Sequence, residues 1–102
     1  MHYVISYDLE NDRLREKTSR LLLRHGAERI QKSVFVAAHL TRRDLGNLRT
    51  ALRGLMARFP AGASDSIVFF PLEEDQVSKK VEVLGNNSVF TFLEPLPRKI
   101  IF

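Results

Sequence analysis

The first predicted strand, residues 2–8, carries apolar side chains on both of its faces. The two faces would be formed by Tyr3, Ile5 and Tyr7 and by Val4, Ser6 and Asp8. Apolar side chains on two faces are typical of a central strand that is covered on both sides. Asp8 falls where the strand should end, and the chain then turns into a helix.

Two stretches with the period of an amphipathic helix follow along the chain. The first is predicted to be capped by Asn11 or Asp12 and to end near His25. Its buried stripe would be Leu14, Thr18, Leu21, Leu22 and His25. The second begins after Thr41, and Asp44 three residues later makes a weak capping-box pattern. Its buried stripe would be Leu45, Leu48, Leu52, Leu55, Met56 and Phe59.

Further strands are predicted from β-branched and aromatic content and from turn residues. Residues 28–40 exceed one strand in length, so they are expected to form two, with a break near residues 31–33. Residues 65–72, 79–84 and 88–93 supply the others. The resulting order is β-α-β-β-α-β with an extra C-terminal strand or two. This order predicts a ferredoxin-like α+β sandwich, with both helices on one face of an antiparallel sheet.

The chain is predicted to hold one ferredoxin-like domain, residues 1–85, and a C-terminal extension, residues 86–102. The extension ends in Ile100, Ile101 and Phe102, which are expected to pack on this chain or on a partner. A surplus strand can also add to the sheet edge of a neighbour. Because a chain of 102 residues has a modest core, a homodimer is expected, with the extension as a dimer or partner contact.

The composition excludes several kinds of site. The chain has no cysteine, which excludes disulfides, thiolate catalysis and cysteine-based zinc sites. His2, His25 and His39 lack the spacing of a zinc site. The sequence contains no phosphate-cradling glycine-rich loop and no nucleophile elbow. It also lacks a signal-peptide pattern and a long apolar window, so we expect a cytoplasmic protein with no membrane partner.

Positive charge is concentrated in the middle of the chain. Residues 11–59 carry 12 basic and 4 acidic side chains, whereas the rest of the chain has a net charge of −4. Eleven of the 16 basic residues are arginines, which suit bidentate contacts with phosphate. This distribution predicts binding to nucleic acid. The alternative is that the charges form the solvated outer faces of two helices.

Asp8 is the first candidate for chemistry. A carboxylate at the end of a central strand is held in place and still reaches solvent, which suits a metal ligand or a general base. The alternative is that Asp8 belongs to the turn before the helix, or neighbours its cap, as aspartate often does.

Five further residues are candidates for contact with nucleic acid: Arg13, Arg15, Arg42, Arg43 and Ser33. The four arginines lie in the first turns of the two predicted helices, where free N–H groups already favour phosphate. Plain exposed arginines are an equal alternative. Ser33 has the chemistry to donate a hydrogen bond to phosphate, and backbone capping at the strand break is its alternative. For Phe35 the alternatives are stacking on a base and packing in the core, and packing is favoured.

Four segments of the sequence together resemble the CRISPR-associated protein 2 family. In chain order they are YVISYDLENDRLR, LLLRHGAERIQKSVF, DSIVFFPL and VEVLG, and they span most of residues 3–85. The Tyr-Asp pair, the Gly-x-x-x-x-Gln-x-Ser-Val-Phe block and the Asp-Ser-Ile strand carry the resemblance jointly. Val36 departs from the family pattern, in which an acidic residue often stands, and residues 86–102 lie outside the match.

The resemblance implies a homodimer of ferredoxin-like subunits that associates with the CRISPR-associated protein 1 integrase. That assembly captures short fragments of double-stranded DNA and inserts them into a CRISPR array, with this family as a DNA-binding scaffold. Some members are also described as metal-dependent endonucleases that act on RNA or DNA, and single-stranded RNA is one expected substrate. Their metal-binding residue maps onto Asp8. The alternative is a toxin-like ribonuclease resembling the virulence-associated protein D group, which shares this fold.

Two copies of Asp8 would make a better magnesium site than one. Mg²⁺ takes about six oxygen ligands, commonly one or two carboxylates with water and phosphate. A twofold axis near the end of the first strand would bring the Asp8 side chains of two chains together around one shared ion. The ion would polarise a phosphoryl oxygen and activate a water molecule. Scaffold and nuclease are thus two hypotheses that one protein can combine.

Overall fold

The computed structural model describes residues 1–59, 62, 64–72, 81–85 and 89–93, and these residues form one antiparallel sheet with two helices. The elements are β1 (Tyr3–Asp8), α1 (Asp12–Arg24), β2 (Glu28–Gln31), β3 (Val34–Ala37), α2 (Arg42–Ala57), β4 (Ser66–Pro71), β5 (Val81–Gly85) and β6 (Phe90–Leu93). The strand order is β2-β3-β1-β4-β5-β6. The predicted ferredoxin-like α+β arrangement is confirmed, and two C-terminal strands, β5 and β6, extend its sheet. No helix in this described part is long and apolar enough to span a membrane.

Strand β1 lies inside the sheet, between β3 and β4, as its apolar sequence predicted. Ile5 pairs with Phe35 on one side and with Phe69 on the other, and all three residues are fully buried. We expected β1 to be covered on both faces, but the helices cover only one of them. On that side the buried side chains of both helices join the core. On the other face, Val4 and Ser6 are half-buried.

Both helices begin where their capping residues predicted. Asn11 accepts a hydrogen bond from the backbone N–H of Leu14 at 3.0 Å. Thr41 and Asp44 form a complete capping box, in which each side chain accepts from the other residue's backbone N–H. The hydrogen bond from the Thr41 backbone lowers the pKa of the Asp44 carboxyl group. The most deeply buried helix residues are Leu14, Thr18, Leu22, Leu48 and Leu52.

Strand β5 carries its charged residue on the buried side of the sheet. Glu82 and Leu84 are buried under the helices, whereas Val83 lies on the opposite face and is half-buried. Strand β6 continues the sheet, with Phe90 opposite Leu84. The ring of Phe90 packs edge-on against the ring of Phe69, at 5.8 Å between centroids. The edge of the core is therefore built partly from the C-terminal strand.

The predicted C-terminal extension, residues 86–102, is described only in part. Residues 90–93 form β6 and pair with this chain's own β5. Residues 86–88 and 94–102, which include the apolar tail, lie outside the described residues, as do the first two residues of the predicted strand 79–84.

A bidentate ion pair fastens α2 to β5. Arg49 donates from Nε to Glu82 Oε1 at 2.6 Å and from a terminal nitrogen to Glu82 Oε2 at 2.5 Å. The Glu82 side chain is only 4% exposed. This hydrogen-bonded carboxylate raises the pKa of the Arg49 guanidinium. A buried carboxylate needs such a partner, so Arg49 is what allows a charged residue on the helix-facing side of β5.

Removing Arg49 should destabilise the fold more than removing an exposed arginine. Arg49→Met is expected to lower the free energy of unfolding by about 3 kcal/mol, because it leaves the Glu82 carboxylate buried and unpaired. Adding Glu82→Met should recover most of that loss, since two apolar side chains need no partner. Urea unfolding followed by circular dichroism measures both changes.

The control is Arg20, whose ion pair with Glu16 is exposed. Arg20→Met should lower the free energy of unfolding by less than about 0.5 kcal/mol. Equal losses in Arg49→Met and Arg20→Met would contradict the importance of the buried pair.

Candidate functional site at the end of the central strand

Asp8 is the last residue of β1, and it is exposed. Its backbone pairs with Ser66 of β4, so the sheet holds it along one edge. By strand alternation its side chain lies on the same face as Val4 and Ser6, away from the helices. Its carboxylate makes no hydrogen bond or ion pair with another described residue. Since Asn11 caps α1, Asp8 is not needed for the turn, and its carboxylate is available to a ligand.

A cleft with a volume of about 660 Å³ opens beside Asp8, between the start of α1 and the turn that joins β2 to β3. Its lining consists of Tyr7, Asp8, Leu9, Asp12, Arg15, Glu16, Ser19, Arg29, Lys32 and Ser33. Carboxylates and cations therefore share one depression. Such a cleft suits a phosphodiester, because guanidinium and ammonium groups can neutralise phosphate while a carboxylate holds a cation.

The turn between β2 and β3 places Ser33 in this cleft. The backbone N–H of Tyr7 donates to the Ser33 carbonyl oxygen at 3.1 Å, and the Tyr7 hydroxyl donates to the Lys32 carbonyl oxygen at 3.3 Å. Ser33 is half-buried. The turn between β2 and β3 is therefore hydrogen-bonded to Tyr7, the residue before Asp8. Contact of Ser33 with nucleic acid stays a prediction.

Phe35 is a core residue. It is fully buried, and its ring stacks on the ring of Tyr7 with 6.0 Å between centroids. The guanidinium carbon of Arg29 lies 5.1 Å from the centre of the Phe35 ring. A ring enclosed in this way offers no face to a base. Of the two alternatives for Phe35, packing in the core is therefore the one that the structure shows.

The four candidate arginines fall at opposite ends of the sheet. Arg13 and Arg15 follow the end of β1, beside Asp8. Arg42 and Arg43 begin α2 at the other end, because Leu40 bonds to the backbone of Met1 at 2.8 Å. They therefore do not form one common surface.

Arg15 holds the loop that follows Asp8. Its guanidinium donates to the carbonyl oxygens of Leu9 at 2.8 Å and Glu10 at 3.1 Å, and it pairs with Asp12. Arg15 thus connects the start of α1 to the loop before it. Arg13, by contrast, is exposed to solvent.

Three residues of the site were missed in the sequence analysis. Arg29 and Lys32 line the cleft, and their position on either side of Gln31, next to the predicted strand break, was the available signal. Asp65 was predicted only as the start of a strand. It is buried, and its carboxylate accepts the backbone N–H of Glu10 at 2.9 Å. Nothing local in the sequence indicates that contact, because the two residues lie 55 positions apart.

The described residues contain no group of three or more His, Asp or Glu side chains that could hold a metal ion. Asp12 and Glu16 line the cleft but are paired with Arg15 and Arg20. Asp8 is therefore the cleft carboxylate without a described partner. A hard cation such as Mg²⁺ accepts a carboxylate ligand and fills its remaining positions with water and phosphate. The Asp8 carboxylate is therefore an oxygen ligand of the kind that Mg²⁺ accepts.

The fold and the position of Asp8 define a class of ferredoxin-like α+β proteins in which a carboxylate ends the central strand beside a cleft lined by acidic and basic side chains. The profile of the family described as CRISPR associated protein Cas2 matches residues 1–80, and the chain belongs to this family. It is similar to the CRISPR-associated endoribonuclease Cas2 2 of Pyrobaculum aerophilum, with 30% identity over 83 residues. That match covers 81% of this chain and 86% of the relative. The resemblance inferred from the sequence motifs is confirmed.

Proposed function

We propose that the protein is a magnesium-dependent endonuclease of a CRISPR system that cleaves phosphodiester bonds in RNA or DNA. The observation that carries this proposal is the exposed Asp8 carboxylate, which has no described partner and lies in a cleft lined by Arg29 and Lys32. The similar protein of Pyrobaculum aerophilum is named an endoribonuclease, which supports this reaction class. Single-stranded RNA is therefore the first substrate to test.

Each group in the cleft has a role that its chemistry suits. Asp8 would hold Mg²⁺, which when bound polarises a phosphoryl oxygen and lowers the pKa of a water molecule. Arg29 and Lys32 would neutralise the scissile phosphate and orient it toward Asp8. Ser33 would donate a hydrogen bond to a neighbouring phosphate oxygen. Arg15 would keep the loop after Asp8 in place.

The active form is proposed to be a homodimer that joins through the open face of the sheet. That face carries a continuous apolar patch across four strands, formed by Val4, Val34, Val36, Val68, Phe70 and Val83. Phe70 is 40% exposed, which is unfavourable for a large aromatic residue in water. Asp8 lies on the same face as this patch, so a second copy packed there would bring two Asp8 carboxylates toward one ion. The apolar face thus supports both the dimer and the shared site.

Replacing Asp8 tests the nuclease. Asp8→Asn keeps the shape of the side chain and removes its charge, so magnesium-dependent cleavage of labelled single-stranded RNA or double-stranded DNA should fall at least about 100-fold. EDTA should abolish cleavage by the wild type. Asp12→Asn is the matched control, because Asp12 lines the same cleft but is paired with Arg15. Equal cleavage by the wild type and by Asp8→Asn would contradict the proposal.

Replacing Phe70 tests the dimer. Phe70→Glu places a charge in the centre of the apolar patch, so the protein should change from twice the chain mass to the chain mass in light scattering. Leu23→Glu is the control, since Leu23 is 48% exposed on α1 and lies outside the sheet. A wild type with the mass of one chain, or a Phe70→Glu protein that stays dimeric, would contradict an interface on this face.

A second candidate function is the scaffold role in spacer integration, and helix α1 supports it. Arg13, Lys17, Arg20 and Arg24 are all exposed and recur at helical spacing, so they form one stripe about 16 Å long. Basic groups in a row suit the backbone of double-stranded DNA, which they would position without reading its sequence. The integrase of the CRISPR system is the proposed partner, with the C-terminal extension as its contact.

Neutralising the stripe tests DNA binding. Arg13→Gln, Lys17→Gln and Arg24→Gln together should weaken binding to a DNA duplex and reduce the slope of log affinity against log salt by about 2 to 3. Fluorescence anisotropy at several salt concentrations measures this slope. The control replaces three exposed arginines of the α2 region, Arg42, Arg43 and Arg58, with Gln. Equal loss in both triple variants would mean that net charge, and not the stripe, determines binding.

A further inference from the structure

The buried carboxylate of Asp65 joins the loop after Asp8 to the loop before β4. Asp65 is 3% exposed. Its Oδ1 accepts the backbone N–H of Glu10 at 2.9 Å, and its Oδ2 accepts the backbone N–H of Gly62 at 2.9 Å. Its own N–H donates to the Gly62 carbonyl oxygen at 3.2 Å. Both carboxylate oxygens are thus engaged by backbone, so Asp65 is not itself placed to bind a ligand.

The peptide of Glu10 is held at both of its polar groups. Its N–H donates to Asp65, and its carbonyl oxygen accepts a hydrogen bond from Arg15 at 3.1 Å. Gly62 allows this approach, because a Cβ at that position would stand 2.8 Å from Asp65 Oδ1 and would also collide with the Glu10 carboxylate. Asp65, Gly62 and Glu10 form one clasp, and its contact point lies two residues after Asp8.

Asp8 needs support from this side because the sheet holds it on one edge only. The pairing of β1 with β4 extends to Asp8 and Ser66, whereas the pairing with β3 ends at Ser6 and Val34. The residue at the end of a strand can rotate unless the following loop is fixed. The clasp fixes that loop from the β4 side.

We propose that Asp65 is a positioning residue for Asp8, which holds the β1–α1 loop so that the Asp8 carboxylate keeps the orientation needed to bind a divalent cation. The inference rests on the proposed function of Asp8 and adds to it a buried residue that touches neither cation nor substrate. Asp65 acts through backbone hydrogen bonds, whose loss would leave the fold in place and the Asp8 carboxylate misoriented.

The test compares Asp65→Asn with Asp44→Asn in the full chain. Asn retains the shape of Asp65 and one acceptor oxygen, but its amide group faces a backbone N–H that then lacks an acceptor. Asp44 also accepts a backbone N–H, from Thr41, and its carboxylate lies at the start of α2, at the opposite end of the sheet from Asp8. Asp44→Asn therefore controls for the loss of a carboxylate that caps backbone.

Three measurements separate positioning from general damage. Amide hydrogen exchange without metal should be about tenfold faster at Glu10 in Asp65→Asn and unchanged in β3. The affinity for Mn²⁺, measured by calorimetry, should fall about tenfold, in the range typical of lost outer-shell support. With RNA as substrate, kcat should fall about as much while KM stays within twofold. Asp44→Asn should change none of these values.

A double-variant cycle decides whether Asp65 acts through Asp8. In an Asp8→Asn background, Asp65→Asn should produce no further loss of Mn²⁺ affinity, because no carboxylate is left to orient. Additive losses, or a Mn²⁺ affinity in Asp65→Asn within twofold of the wild type, would overturn the proposal. Gly62→Ala provides the same test by crowding the clasp, should Asp65→Asn not fold.

The outcomes for the two proposals are distinguishable. A wild type that binds Mn²⁺ and cleaves neither RNA nor DNA would overturn the nuclease, while the affinity cycle would still decide the role of Asp65. A wild type that binds no Mn²⁺ would overturn both proposals.

Discussion

The pairing of β1 between β3 and β4 is the constraint on which the other features depend. A strand bound on both edges cannot shift its register without moving every side chain to the opposite face. That register places Ile5 between Phe35 and Phe69, where the helices cover it, and leaves Val4, Ser6 and Asp8 on the open face. The fold therefore positions the candidate carboxylate with the same interactions that build its core.

The acidic residues around this frame differ in whether they have partners. Glu82 is buried and receives two hydrogen bonds from Arg49, and Asp65 is buried and receives two from backbone N–H groups. Asp12 and Glu16 line the cleft and face arginines. Buried carboxylates are stable only when paired or hydrogen-bonded, so Glu82 and Asp65 serve structure. The Asp8 carboxylate is exposed and has no described partner, and this difference distinguishes it as the candidate metal ligand.

The proposed nuclease and scaffold roles use different surfaces of the same domain. The cleft lies between the start of α1 and the β2–β3 turn, while the basic stripe runs along the exposed side of α1. The apolar patch lies on the opposite face of the sheet from the helices. A duplex bound along α1 would therefore leave the open face available to a second copy. The cleft, the basic stripe and the apolar patch share no described residue except Asp8, which belongs to the cleft and to the open face. A small domain can therefore combine both roles.

The sequence by itself determined the order of elements, the two helix caps and the family. These features depend on local chemistry: alternation in strand residues, the stripes of leucine, and hydrogen bonds between residues three positions apart. It also indicated Asp8, because a strand end can be recognised locally.

The tertiary structure decided which face of β5 is buried, which arginines share a surface, and that Asp65 holds the loop after Asp8. Those outcomes depend on contacts such as Arg49 with Glu82, 33 positions apart, and Glu10 with Asp65, 55 positions apart. Such pairs cannot be recognised from local sequence, because only the packed sheet brings the two residues together.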